Sequence, residues 1–170
     1  NRTFAFIDSQ NLNLGVKSQG WKLDFARFRI LLKERYNVTK AYLFIGYIPR
    51  NKSLYSFLVE SGYRVIYKPV VESNRNGKPI KGNVDAELVL HAMIEFPKYH
   101  KAIIVSGDGD FYCLAEYLAK KNKLKKIIVP NVRYSSLLRK FAQYIVNISS
   151  FKNHIEQFKR EAIARDKTLC

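Results

Sequence analysis

Four of the six aspartates in this 170-residue chain stand where an α/β protein builds its sites. Asp8 closes the first strand-like run, residues 3–7. Asp108 and Asp110 follow the run at 102–105, in Ser106-Gly107-Asp108-Gly109-Asp110-Phe111. Asp85 opens a helical segment and shares its stripe with Leu88, Val89, Ala92 and Phe96, so it faces the sheet edge rather than outward. In open α/β sheets, ligands sit outside the carboxyl ends of the strands, at the topological switch point. A strand order 3-2-1-4-5 makes strands one and four neighbours there, so Asp8 faces Asp108 with Asp85 and Asp110 close by. Carboxylates gathered in this way repel and raise one another's pKa values unless a cation neutralises them. Ligands that are all oxygen favour Mg²⁺ or Mn²⁺ over zinc. Each acid also has a plainer reading. Asp110 before Phe111 suits a helix cap, Asp85 complements a helix dipole, and Asp8-Ser9-Gln10-Asn11 suits an Asx-turn. The convergence of all four on one sheet edge favours the site.

The elements that must position these acids are legible as alternating runs. Apolar stretches rich in Ile, Val, Phe and Tyr occupy residues 3–7, 40–48, 63–67, 102–105 and 126–129, with a short sixth at 144–148. They are nearly continuous rather than alternating, as in strands buried on both faces of a parallel sheet. Segments of helical period lie between and after them at 24–35, 53–61, 85–96, 110–121, 135–142 and 151–164. The alternation predicts βαβ units and a doubly wound α/β fold. The length suits one domain, residues 1–150, with 151–170 as its C-terminal helical extension. One long irregular stretch, 68–83, carries Lys68, Arg75, Lys78 and Lys81 and is expected to enter the site.

Charge names the class of partner. Thirty Lys and Arg against fourteen Asp and Glu leave a formal net charge of +16, which calls for a polyanion. No apolar run approaches the roughly 20 residues of a spanning helix, so no membrane partner is expected. Eleven Tyr and eleven Phe set the chain apart from basic tails, which are poor in aromatics. Arg50 and Lys52 follow the second strand on the edge of the acids and are phosphate-contact candidates. Tyr47 beside them suits either base stacking or packing. Lys120, Lys121, Lys123, Lys125 and Lys126 read as a solvated face at the opposite edge. Trp21 reads as a core anchor and His91 as a surface residue. Cys113 and Cys170 make no disulfide framework and have no zinc-ligand spacing with the histidines, which fits a reducing cytoplasm.

Three motifs together resemble the NYN domain, a PIN-like family that includes the LabA proteins. They are Phe6-Ile7-Asp8-Ser9-Gln10-Asn11-Leu12, Lys81-Gly82-Asn83-Val84-Asp85 and Val105-Ser106-Gly107-Asp108-Gly109-Asp110-Phe111, in the family's order, and the likeness spans about residues 3–148. The resemblance implies a PIN-like three-layer sandwich with a mainly parallel sheet of five or six strands and helices on both faces. It implies a metal-dependent ribonuclease, an endonuclease by preference, that hydrolyses RNA by a Mg²⁺- or Mn²⁺-activated water. Carried over by position, Asp8, Asp85, Asp108 and Asp110 are the metal-binding and catalytic acids, and Asn11 is the companion amide. Asn11 and Ser106 are candidates for orienting water or a phosphate oxygen. The family pattern usually has no residue in the place of Asn83, a departure that bears on Lys81 more than on Asp85. RNA, single-stranded or structured, is the expected partner, and association with a second copy is left open. A non-catalytic RNA-binding or regulatory module of the same fold is the alternative. A haloacid dehalogenase-type phosphatase is a minor competing reading, suggested by Gly107-Asp108-Gly109-Asp110 and opposed by Gln10, where that chemistry needs a second aspartate.

Overall fold

Every residue of the first strand, β1 (Thr3–Asp8), is buried, because its apolar run lies at the centre of a sheet covered on both faces. The structure is a computed structural model and describes residues 1–70 and 83–158. After β1 the described chain forms α1 (Ser9–Lys17), α2 (Phe25–Tyr36), β2 (Val38–Tyr47), α3 (Lys52–Glu60) and β3 (Tyr63–Pro69). It continues through α4 (Asp85–Ile94), β4 (Lys101–Val105), α5 (Tyr112–Lys120), β5 (Leu124–Val129), β6 (Ile145–Asn147) and α6 (Lys152–Ile155). The six strands lie in the order β3-β2-β1-β4-β5-β6, and every neighbouring pair is parallel. The expected doubly wound α/β architecture is therefore present, and the short sixth strand completes the sheet.

Alternate residues of the strands feed two cores. Ala5, Ile7, Leu43 and Val105 pack with Leu12 and Val16 of α1 and with Phe28 and Leu32 of α2. Phe4, Phe6, Phe44 and Ile104 lie beneath Leu88 and Ala92 of α4 and Leu114 and Leu118 of α5. Phe6 stacks on Tyr42 with centroids 5.5 Å apart and meets Tyr99 edge-on at 5.6 Å. Truncating such a fully buried ring costs about 3–5 kcal/mol. Trp21 is buried in the first core, as its sequence context suggested.

Several elements depart from the sequence reading. Residues 9–17 are a helix, α1, rather than an isolated turn. Asp8 is its N-cap, accepting from the Asn11 N–H. Gly15 lowers the helix propensity of this segment, yet the docking of α1 requires it: a Cβ there would lie 2.5 Å from Pro130 Cβ. The segment at 110–121 starts with a 3₁₀ turn, Gly109–Phe111, and becomes α-helical at Tyr112. The segment at 135–142 falls in a 3₁₀ stretch, Ser136–Tyr144, that is kinked at Phe141. The C-terminal helix stops at Ile155. Glu156 turns extended and bridges antiparallel to Leu23, while the Asp24 and Gln157 N–H groups donate to Ile155 and Lys22. Residues 159–164 of that expected helix lie outside the described residues.

The basic run before β5 is not simply a solvated face. Lys123 Nζ donates to the carbonyls of Phe96 and Tyr99, and Lys125 Nζ to that of Tyr36. His91 is half-buried, its ring 5.6 Å from that of Phe44, so it is not the surface residue expected. Lys68 belongs to β3 and pairs with Glu87 at 3.5 Å, and its Nζ also donates to the Asn83 carbonyl. Arg75, Lys78 and Lys81 lie outside the described residues. Among the described residues no helix is long and apolar enough to cross a membrane.

Candidate metal centre

The topology brings two acids together before any side chain is considered. β1 and β4 pair with Ile7 opposite Val105, so the chain leaves both strands at one level of the same sheet edge. Asp8 ends β1, and Asp108 comes three residues after β4 ends. The loop between is tightly bonded. Asn11 Oδ1 accepts from Gly107 N at 2.9 Å and ties the start of α1 to the loop after β4. Ser106 Oγ accepts from Asp108 N at 3.1 Å, and Asp108 in turn caps the 3₁₀ turn by accepting from Asp110 N at 2.9 Å. Gly109 has no room for a Cβ, which would fall 2.3 Å from Ser135 Oγ.

Asp85 reaches the same place from α4. Asn83 Oδ1 accepts from Asp85 N at 2.8 Å and fixes the first turn of the helix. One carboxylate oxygen from each of Asp8, Asp85 and Asp108 lies within 4.8 Å of the other two. They line a cavity of about 270 Å³ together with Gln10, Asn11, Leu14, Asn83 and Val84. Asp110 is exposed and stands outside this trio, although its carboxyl adjoins Asp85.

The electrostatics follow from that crowding. Asp8 is only 5% exposed. Burial, reinforced by the Asp108 charge and opposed by the Asn11 N–H, pushes its carboxyl up to about 6. Asp85 is also pushed up to about 6, by burial first and then by Asp108, Asp110 and Asp8. Asp85 Oδ2 is buried and has no hydrogen-bond partner among the described residues. Three clustered carboxylates, one with an unpartnered buried oxygen, form an oxygen-only donor set that fits a hard divalent cation such as Mg²⁺ or Mn²⁺.

The remaining candidates divide. Asn11 lines the cavity, its Oδ1 is bonded to Gly107 N, and its amide nitrogen has no partner among the described residues. Ser106 is 1% exposed, and its Oγ accepts from Asp108 N, which braces the turn. Arg50 and Lys52 are exposed and do not line the acidic cavity. Lys52 lies instead beside Tyr47, Tyr55 and Tyr67. Lys81 lies outside the described residues. Asn83 is the site residue that sequence reasoning treated only as a departure from a pattern. Its signal was an Asn two residues before a helix start, where its side chain mimics a backbone turn.

Comparison with known proteins places this arrangement. The NYN domain model matches residues 2–154. A protein of Synechococcus elongatus, the low amplitude and bright protein LabA, is 26% identical over 168 residues, covering 94% of this chain and 90% of that one. A crystal structure of a Vibrio parahaemolyticus protein of unknown function superposes with a TM-score of 0.72 at 25% identity. The match covers 92% of this chain and 96% of that one.

Proposed function

The chain belongs to the NYN domain family, and on that premise we propose that it is a metal-dependent ribonuclease that cuts RNA internally. The observation that carries the reading is the convergence of Asp8, Asp85 and Asp108 from three separate elements to within 4.8 Å. A formal charge of +16 on the same molecule suits a polyanionic substrate.

Asp8, Asp85 and Asp108 would hold the ion, which we take to be Mg²⁺ or Mn²⁺, with Asp110 near enough to tune Asp85. Bound there, such an ion supplies Lewis acidity toward a phosphodiester and lowers the pKa of water. The protein's own share is positioning. The Asn11 N–H holds the Asp8 carboxylate, and the Asn11 side chain anchors the Gly107 loop while offering its amide nitrogen to a phosphate oxygen. The Ser106 and Asp108 side chains brace that loop, so the acid at its tip does not have to be ordered when substrate arrives.

The test is hydrolysis of end-labelled RNA with Mn²⁺ or Mg²⁺, compared between wild type and Asp108→Asn. Wild type should produce internal fragments, and the variant should lose at least two orders of magnitude in rate while keeping its circular dichroism spectrum. Equal cleavage by both would end the proposal. RNA binding without cleavage by wild type would leave the non-catalytic module of the same fold.

A further inference from the structure

A second feature of the same sheet edge has no part in the acidic centre. Tyr47 at the end of β2, Tyr67 in β3 and Tyr55 in α3 form a three-ring cluster. Tyr47 stacks on Tyr55 with centroids 5.6 Å apart and planes at 29°. Tyr67 meets both edge-on, at 5.6 Å and 5.0 Å. Tyr55 explains itself as packing. It is buried, its hydroxyl accepts from Ile48 N at 2.8 Å, and it donates to the Gly46 carbonyl at 3.1 Å. The outer two rings are different. Tyr47 is 37% exposed and Tyr67 40% exposed, and among the described residues neither hydroxyl has a hydrogen-bond partner. They line a cavity of about 490 Å³ together with Tyr55, Lys52 and Glu60.

We propose that Tyr47 and Tyr67 are a stacking platform for an unpaired base of single-stranded RNA, and that Lys52 contacts its backbone. This rests on the nuclease reading and adds the substrate form to it. Position supports the assignment. Asp8 pairs with Phe44, and Phe44 with Ile66, so Tyr67 lies one residue beyond the level of Asp8 and two strands away. Two strand spacings amount to about 10 Å along the sheet edge. Tyr47 and Tyr67 share the face of Ile45 and Val65, opposite that of Phe44 and Ile66, so an RNA strand that reaches both the acids and the tyrosines crosses the carboxyl end of β2. Rigidity supports it as well. Tyr55 is clamped to the backbone at both ends of its hydroxyl and holds Tyr47 in place, so little side-chain freedom is lost on binding. Every base has a π-face, so such a platform accepts any unpaired base but excludes a duplex, whose bases are already stacked.

The test is made in EDTA, where cleavage cannot intervene. A 12-nucleotide single-stranded RNA with a central 2-aminopurine should bind wild type with quenched fluorescence. Tyr47→Leu and Tyr67→Leu should each weaken binding about tenfold and relieve the quench, while Tyr47→Phe and Tyr67→Phe should keep both. The slope of affinity against salt should stay the same in all four, because phosphate contacts are untouched. An RNA whose central nucleotides are abasic needs no variant and should bind wild type about tenfold more weakly than its parent. Wild-type affinity and quench in both Leu variants, or equal affinity for the abasic RNA, overturns the platform. If Mn²⁺-dependent cleavage persists in that case, the nuclease reading stands without it. Absence of both RNA binding and cleavage in wild type removes the two together.

Discussion

Replacing Asp8 with Asn should stabilise the metal-free protein at neutral pH and abolish the gain that Mn²⁺ brings. An acid pushed from 3.8 to about 6 by folding is protonated more readily in the native state than in the unfolded chain. Its contribution to stability is then fully present below pH 3.8 and is lost as pH rises through 6. At about 1.4 kcal/mol per pKa unit, the ionised Asp8 carboxylate costs the native state about 3 kcal/mol at pH 7.5 without metal. Asn has the shape of the protonated acid and does not ionise. Its Oδ1 can still accept from Asn11 N, so the cap on α1 survives.

The difference between wild type and D8N should therefore be near zero at pH 3.5 and grow to about 3 kcal/mol in favour of the variant at pH 7.5. For a chain of this size that is roughly 6–12 °C in Tm. Taking the difference between two proteins of equal sequence elsewhere cancels the titrating groups remote from Asp8, though not Asp85, which the Asp8 charge itself helps push up. Mn²⁺ should close most of that gap. An ion at one hundred times its Kd adds about 2.7 kcal/mol to wild type, and D8N, with one ligand neutralised, should gain little. Urea unfolding followed by circular dichroism, from pH 3.5 to 7.5 with and without Mn²⁺, measures every quantity. Parallel pH profiles for the two proteins, or a variant less stable than wild type at pH 7.5 in EDTA, would refute the reasoning.

Two further perturbations test the scaffold. Gly15→Ala improves intrinsic helix propensity but drives a Cβ to 2.5 Å from Pro130, so it should lower the unfolding free energy measured in urea by about 1–3 kcal/mol instead of raising it. Lys123→Met keeps an aliphatic stem but removes the ammonium, which lies 4.0 Å from the Phe96 ring centroid, and leaves the carbonyls of Phe96 and Tyr99 without their donor. It should cost about 1–3 kcal/mol in the same assay, while the salt dependence of RNA binding, measured by anisotropy, stays as in wild type.

The two acids whose meeting was legible from sequence are those whose positions the backbone alone decides. Buried parallel strands announce themselves as continuous apolar runs, and once strands one and four are neighbours, Asp8 and the loop after Val105 must share an edge. Asp85 required only one more inference, the periodicity that placed it on the apolar stripe of α4. What escaped depends on contacts made by side chains far apart in sequence. The segment Ser9-Gln10-Asn11-Leu12-Asn13-Leu14-Gly15-Val16-Lys17 is weakened as a helix by Asn11, Asn13, Gly15 and Val16, and becomes one because Leu12 and Val16 pack into the core and Gly15 meets Pro130. Propensity is a weak prior against such tertiary packing. The cue was nonetheless there. The Asp8 to Asn11 hydrogen bond that reads locally as an Asx-turn is also an N-cap, and apolar residues at positions 12 and 16 have helical spacing. The cations were misjudged for a related reason. A lysine's place in the chain fixes its Cα, but a long stem lets the charge travel. Lys123 and Lys125 turn inward to backbone carbonyls, and Lys52 borders the tyrosines instead of the acids. For long basic side chains, therefore, a position at the correct sheet edge is a weaker guide to the site than it is for a short, buried aspartate whose carboxylate cannot move far from its strand.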